Sequence, residues 1–216
     1  MAKLTLYYSP GTCSLTQHIA LEEAGAAFEG KPMSLKKGDQ RKPEFLALNP
    51  KGKVPLLVID GTPLTENVAI AHYLAKTFPE AKLLPSGSPE AEAQAISMLS
   101  WCSSGLHAGM SPLFGPQRVC DLPDSEASVK RLAAANTAKN FAMVEKILAG
   151  KDWALGKWSI VDAYFFVFWR WANFHKLALD AYPNYAKHFA RMSERPSVKR
   201  ALAREAEAQA MLDKAA

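Results

Sequence analysis

The residue best suited to chemistry near the amino terminus is a single cysteine, Cys13, in the stretch "YYSPGTCSLTQ". A strand is predicted to end at about Tyr8, and a helix is predicted to begin at about Ser14. A thiol in the first turn of a helix lies beside unpaired amide hydrogens and the positive end of the helix dipole, which lower its pKa below about 8.5. We therefore expect a Cys13 thiolate near neutral pH. The alternative is a small buried hydrophobic residue, the commoner fate of a free cysteine.

A compact basic segment, residues 31–53, carries seven lysines and arginines against two acidic residues, a net charge of +5. A nucleic-acid-binding surface is usually longer and interleaves aromatic residues, so no nucleic-acid partner is expected. A short basic segment suits a small anionic ligand. A solvated lysine-rich loop is the alternative.

The elements that position this chemistry begin with an α/β pattern. Gly25 is placed to end the first helix, the Asp60-Gly61 pair predicts a hairpin turn, and Thr65 is the predicted N-cap of the helix that follows. The predicted order is β-α-β-α-β-β-α over residues 1–79. Strands are expected near 3–8, 27–35, 54–60 and 62–65, and helices near 14–25, 42–50 and 66–78.

A second, all-α domain is predicted after a linker. The stretch "PEAKLLPSGSP" at 79–89 has three prolines, a glycine and two serines, so we place a linker at 80–89 and a helical domain at 90–216. The segment "SIVD" predicts a capping box between Ser159 and Asp162, and aromatic residues on all sides of that helix predict that it is buried. Helices are expected at 90–119, 125–149, 159–176, 182–194 and 197–213.

The cysteine pattern and the apolar segments limit the compartment. Cys13, Cys102 and Cys120 form no C-x-x-C pair, which argues against a disulfide framework and a zinc site and favours a reducing compartment. The most apolar stretch, 160–174, is too short to cross a bilayer and contains two charged residues. We expect a cytoplasmic protein with no metal and no membrane partner.

Five segments, taken in order, resemble a cytosolic glutathione S-transferase, most closely the bacterial beta class. They are "SPGTCSLTQHIALEE", "LALNPKGKVPLL", "LTENVAIAHYLA", "LHAGMSPLF" and "SIVDAY". The resemblance extends over almost the whole chain. It implies a thioredoxin-like amino-terminal domain that binds glutathione as co-substrate and an all-helical carboxy-terminal domain that receives a small hydrophobic electrophile. It also implies a homodimer.

The same resemblance implies how glutathione is held. The Val54-Pro55 peptide bond is expected to be cis, with the Val54 backbone pairing with the cysteinyl unit as an added strand would. Glu66 is expected to face the ammonium group of the γ-glutamyl end. Asn67, where a serine is usual, is expected to face its carboxylate.

Three lysines are candidates for the glycyl carboxylate of glutathione: Lys36 or Lys37 from one side, and Lys53 from the other. Lysine is a flexible point charge, so all three stay open at this point. Ser100 matches a position that contributes a polar contact to the neighbouring subunit's glutathione.

His107 is the second catalytic candidate that the resemblance implies. A neutral imidazole near the glutathione sulfur can donate a hydrogen bond to the thiolate or relay its proton. A core histidine with satisfied hydrogen bonds is the alternative. Ala108 and Gly105 stand where the family often has a lysine and an acidic residue, so sulfur activation is expected to be weaker or differently arranged.

Two chemistries are open for the cysteine. Cys13 either forms a mixed disulfide with glutathione, as a monothiol oxidoreductase does, or only hydrogen-bonds the bound thiol and holds it as a thiolate, a role that Ser14 can share. The resemblance favours conjugation and a role in detoxification. The alternatives are a glutathione-dependent thiol-disulfide oxidoreductase and a non-catalytic interaction protein on the same fold.

Overall fold

A computed structural model describes residues 2–214, which form two units. The first unit comprises the residues up to Ser86 together with the segment from Ser193, and the second is Gly87–Met192. The limits expected from the sequence, 1–79 and 90–216, stay predictions.

The first unit contains a four-stranded sheet in the order β2-β1-β3-β4. Strand β1 runs parallel to β2 and antiparallel to β3, and β3 runs antiparallel to β4. The predicted order β-α-β-α-β-β-α is confirmed. The elements are β1 (Leu4–Tyr8), α1 (Leu15–Glu23), β2 (Phe28–Pro32), α2 (Pro43–Leu48), β3 (Leu56–Ile59), β4 (Thr62–Thr65) and α3 (Asn67–Thr77).

The hairpin between β3 and β4 turns at the expected pair. Asp60 has φ 47° and Gly61 has φ 87°. Positive φ at both central residues is the requirement of a type I′ turn, whose twist matches that of the flanking strands. The predicted hairpin is confirmed.

Alternation along the strands gives the sheet two buried faces. Leu6 lies opposite Leu57 in the register, and both are fully buried on the face covered by α1 and α3. Leu56 points to the other face, where it packs with Met33 and with Phe45 of α2. The central strands β1 and β3 therefore carry apolar residues on both sides.

The last helix, α9 (Pro196–Lys214), packs against α1 of the first unit. The buried carboxylate of Glu22 in α1 pairs with Arg200 Nε at 2.7 Å and with Arg204 Nε at 3.1 Å. Glu23 pairs with Arg195. This packing was not indicated by the sequence, because α9 is separated from the sheet by more than a hundred residues.

The second unit is helical. Its first helix runs from α4 (Pro89–Trp101) through a π-helical segment, Cys102–His107, into α5 (Ala108–Phe114). The sequence predicted this helix to reach residue 119, but it ends at Phe114 because Gly115 and Pro116 follow. The remaining helices are α6 (Glu126–Leu148), α7 (Ile160–Phe174) and α8 (Pro183–Glu194), the last of which crosses into the first unit.

The capping box at the start of α7 is confirmed. Asp162 Oδ2 accepts a hydrogen bond from the backbone N–H of Ser159 at 2.9 Å, and Oδ1 lies 2.9 Å from Nε2 of His188. Asp162 and His188 are both fully buried. Helix α7 is buried over almost its whole length, as predicted. Within residues 2–214, no helix is both long enough and apolar enough to cross a membrane.

Candidate active site

The loop between β1 and α1 is held by its own polar side chains. Ser14 Oγ accepts from the backbone N–H of Ser9 at 3.1 Å and lies 2.7 Å from Thr12 Oγ1. Thr12 Oγ1 in turn donates to the Ser9 carbonyl at 2.8 Å. Ser14 is fully buried and does not cap the helix with its side chain. Its hydroxyl therefore fixes the loop that carries Cys13.

Cys13 is buried and lies close to Val54, two residues before β3. Its Sγ donates to the carbonyl of Val54 at 3.7 Å. Burial raises the pKa of the Cys13 thiol to about 12, although a hydrogen bond with Asn67 and the charge of Lys53 act in the opposite direction. The expectation of a thiolate near neutral pH is therefore wrong. The loss of hydration outweighs the helix start, since an anion in an apolar site loses its solvent stabilisation.

The Val54-Pro55 peptide bond is cis, as the resemblance implies. Pro55 is buried and Val54 is half-buried, immediately before β3. The Val54 carbonyl faces the Cys13 thiol, so the backbone of this residue and the sulfur share one side of the first unit.

Glu66, and not Thr65, occupies the N-cap position of α3, so the predicted N-cap is wrong by one residue. Its backbone has φ 73° and ψ 126°, a region that non-glycine residues seldom adopt and that is strained for a residue with a Cβ. Its exposed carboxylate pairs with Lys51 Nζ at 2.6 Å, and the same ammonium group contacts Thr65 Oγ1 at 3.0 Å.

Asn67 is the first residue of α3 and is buried. It contacts Cys13, in the loop before α1, and Gln17 of α1. Its side chain hydrogen-bonds Cys13, and its Oδ1 accepts from Gln17 Nε2 at 3.0 Å. Gln17 Nε2 also donates to the backbone carbonyl of Asn67 at 2.9 Å. The sequence did not identify Gln17, although a glutamine on the face of α1 that is otherwise apolar is a signal for a buried polar contact.

The three candidate lysines differ in their surroundings. Lys53 is exposed, and its charge acts on the Cys13 thiol. Lys37 Nζ donates to the backbone carbonyl of Leu212 in α9 at 2.6 Å. Lys36 is exposed. The electrostatic link to Cys13 distinguishes Lys53 from the other two.

His107 lies at the end of the π-helical segment of the second unit. Its Nδ1 lies 3.4 Å from the hydroxyl of Tyr164, and its ring packs edge-on against Trp171 with 4.9 Å between centroids. Ser100, one residue before the end of α4, is exposed, and its backbone carbonyl accepts from Ser104 Oγ at 2.9 Å.

An exposed aromatic cluster lies beside His107 in the same unit. Phe114 at the end of α5 is 44% exposed and packs against Trp171 with 5.3 Å between centroids. Phe174 stacks on Phe114 and is 73% exposed. In the described range 2–214, no three His, Cys, Asp or Glu side chains are grouped so that they could hold a metal ion.

Comparison with known proteins identifies the family. The glutathione S-transferase amino-terminal domain matches residues 2–76 and the carboxy-terminal domain matches residues 102–196. Glutathione S-transferase GstA of Escherichia coli O157:H7 is 38% identical over 205 residues, which is 94% of this chain and 98% of that protein.

Solved structures that are similar to this chain also come from glutathione S-transferases. A bacterial beta class glutathione S-transferase of Sphingomonas chungbukensis is 38% identical with a TM-score of 0.83, over 93% of this chain and 98% of that one. A Sulfitobacter glutathione transferase homologue with bound glutathione is 32% identical with a TM-score of 0.85, over 92% and 96%. The thioredoxin-like domain with its four-stranded sheet and the helical carboxy-terminal domain are thus the fold of these enzymes. The chain belongs to the glutathione S-transferase family and is a transferase.

Proposed function

We propose that the chain is a beta-class glutathione transferase, which conjugates the thiolate of glutathione to small hydrophobic electrophiles. Glutathione would bind on the first unit, where Cys13, Val54, Glu66 and Asn67 lie together. Relatives that match nearly the whole chain have been solved with bound glutathione, which supports it as the co-substrate.

The observation that carries the proposal is the hydrogen bond of the buried Cys13, whose Sγ donates to the Val54 carbonyl at 3.7 Å. Burial raises the pKa of this thiol, which agrees with a protonated S–H group. On glutathione binding this group would turn from the Val54 carbonyl to the glutathione sulfur. A donor beside the glutathione sulfur stabilises the thiolate over the thiol. Lowering the pKa of the glutathione thiol by about two units is worth about 2.7 kcal/mol and raises the fraction of glutathione present as thiolate up to about a hundredfold.

The same observation weakens the oxidoreductase alternative. Attack on a disulfide requires Cys13 as a thiolate. Burial raises the pKa of the Cys13 thiol and so disfavours that thiolate. A buried, protonated sulfur therefore suits a role in holding glutathione better than a role as nucleophile.

The other contacts of glutathione follow from the residues around Cys13. The Val54 backbone would pair with the cysteinyl unit, and the exposed Glu66 carboxylate would receive the ammonium group in place of Lys51. Lys53 is the preferred partner of the glycyl carboxylate because it is exposed and directly precedes Val54, which would pair with the neighbouring cysteinyl unit.

The helical unit would supply the electrophile's environment. His107 keeps its proposed part in sulfur activation through the resemblance to the beta class. Phe114 and Trp171, beside it, offer the apolar surface that a hydrophobic electrophile needs. A homodimer with Ser100 near the partner's glutathione, a cytoplasmic location and a role in detoxification complete the proposal. Cys13, Cys102 and Cys120 are all free thiols, which fits a reducing compartment.

Replacing Cys13 by Ser tests the proposal, because serine keeps a hydrogen-bond donor but cannot form a disulfide. We expect conjugation of a chlorinated nitrobenzene to stay within about fivefold of the unaltered protein, whereas Cys13→Ala should lose about tenfold. Reduction of a glutathione mixed disulfide as the main activity, abolished in both variants, would establish the oxidoreductase instead. Calorimetry that detects no glutathione binding would favour a non-catalytic interaction protein.

A further inference from the structure

Gln17 and Asn67 form a buried pair whose amide orientations can be assigned. Gln17 is fully buried in the first turn of α1. Its Nε2 donates to two oxygens of one residue, the backbone carbonyl of Asn67 at 2.9 Å and the side-chain Oδ1 at 3.0 Å.

The orientation of Gln17 is dictated by the backbone. A peptide carbonyl can only accept, so the amide group that faces it must be the NH₂ of Gln17. The reverse orientation would place the Gln17 Oε1 against two acceptor oxygens. Within residues 2–214 that Oε1 has no hydrogen-bond partner, so a reversed Gln17 would also leave its NH₂ without an acceptor.

The orientation of Asn67 follows from that of Gln17. One hydrogen of the Gln17 NH₂ group goes to the Asn67 carbonyl and the other goes to Oδ1. With Oδ1 on the Gln17 side, the NH₂ of Asn67 lies on the other side of its amide. The Asn67 side chain hydrogen-bonds Cys13. Because the Cys13 S–H group already donates to the Val54 carbonyl at 3.7 Å, the sulfur accepts this second bond, and its donor is the Asn67 NH₂.

We propose that Gln17 is a positioning residue of the sulfur site, which holds the Asn67 amide so that its N–H group points at the sulfur of Cys13. Asn67 then serves as a fixed donor beside the sulfur. The bearing of this arrangement on conjugation rests on the proposed function. The test below follows the Cys13 sulfur alone, so the two proposals can fail separately.

The test compares the rate at which Cys13 is alkylated by iodoacetamide, followed by mass spectrometry of its peptide, between about pH 8 and pH 10. Cys120 is partly exposed and would compete for the reagent, so it is removed by Cys120→Ser in every protein. Gln17→Met keeps the side-chain volume and removes both hydrogen bonds. We expect its rate to be about three- to tenfold lower at each pH, because the freed Asn67 amide no longer favours the thiolate.

Thr16→Val is the matched control. Thr16 is a fully buried neighbour on α1, and its hydroxyl has no partner in the described part of the chain. Its loss should leave the rate within about twofold. Loosened packing exposes the sulfur and raises the alkylation rate, so the expected fall cannot come from a merely structural defect.

A rate in Gln17→Met that equals or exceeds the rate in Thr16→Val would overturn the proposal. Should Gln17→Met fail to fold by circular dichroism, Gln17→Glu replaces it. A glutamate oxygen in place of Nε2 attracts the Asn67 N–H away from Cys13, so the same fall is expected and an unchanged rate again contradicts the proposal. Glutathione binding by the unaltered protein, measured by calorimetry, separately tests the proposed function.

Discussion

Glu205 of the last helix accepts a hydrogen bond from the backbone N–H of Gly11, with 2.9 Å between Oε2 and the nitrogen. The two residues are 194 positions apart. Glu205 is only 4% exposed. The pKa of Tyr8, at the end of β1, is raised mainly by the burial of Tyr8 and in second place by the negative charge of Glu205. The loop that carries Cys13 is thus held at its start by a buried carboxylate of α9.

Replacing Glu205 by Ala should destabilise this loop. The Gly11 N–H loses its acceptor in a partly buried position, which costs about 1–3 kcal/mol of the free energy of unfolding. Urea unfolding measures the loss, and calorimetry should find weaker glutathione binding because the loop before Cys13 is less well held. Glu205→Gln, which keeps an acceptor oxygen, should lose less than half as much; equal losses would mean that the hydrogen bond is not the cause.

His18 predicts a dependence of stability on pH. It is 1% exposed, its ring nitrogens have no hydrogen-bond partner within residues 2–214, and it packs between the rings of Tyr8 and Phe28. Burial, with a smaller effect of the Arg204 charge, lowers its pKa to about 4 from 6.5.

Between about pH 4 and pH 6.5, His18 binds a proton in the unfolded chain but not in the folded chain. The free energy of unfolding therefore keeps its full value, as far as His18 is concerned, above about pH 6.5. It falls by at most about 3 kcal/mol as the pH is lowered towards 4. In His18→Leu this part of the pH dependence should vanish. Unfolding of both proteins in urea at pH 4.5 and 7.5 provides the comparison, and parallel losses in the two would count against His18 as the titrating group.

Lys53 should contribute more to glutathione binding than Lys36. We expect Lys53→Ala to weaken binding about tenfold, the value of a hydrogen bond to a carboxylate, and the effect should shrink in high salt. Lys36→Ala, an exposed lysine of the same basic segment, should change the dissociation constant by less than about twofold. Calorimetric titration with glutathione at two salt concentrations decides between them. A larger loss in Lys36→Ala would assign the glycyl carboxylate to the other side of the site.

Glu66→Gly should separate stability from binding. Glycine relieves the positive φ at this position and should stabilise the protein by about 1 kcal/mol. The exposed pair with Lys51 contributes little in return. Glutathione binding should fall at least about tenfold because the carboxylate is gone. Glu66→Ala is the control, which loses the same binding without the gain in melting temperature; a stabilised Glu66→Ala would contradict the strain argument.

Most of the fold is predictable because it rests on local signals. The alternation of β1, the Asp60-Gly61 turn and the Ser159–Asp162 capping box each lie within a few residues and were all confirmed. The association of α9 with α1 was not predictable. It depends on ion pairs such as Glu22 with Arg200, between residues that are far apart in the sequence and unremarkable by themselves.

The candidate site divides in the same way. The positions of Cys13, Val54 and Glu66 follow from motifs, and the cis peptide bond was anticipated. The pKa of Cys13 was mistaken in direction, because a helix start is visible in the sequence and the depth of burial is not. The role of Gln17 is not visible in the sequence because its partner, Asn67, is fifty positions away.

The grouping of α9 with the first unit has a consequence for how the protein is made. The ribosome releases the sheet and α1 early, but the helix that covers Glu22 and anchors Gly11 is synthesised only after the helical unit. The helical unit, a continuous stretch from Gly87 to Met192, has its whole sequence available before that point. The sheet and α1 therefore complete their packing only when α9 has left the ribosome, and the Cys13 loop is secured after the helical unit has been made.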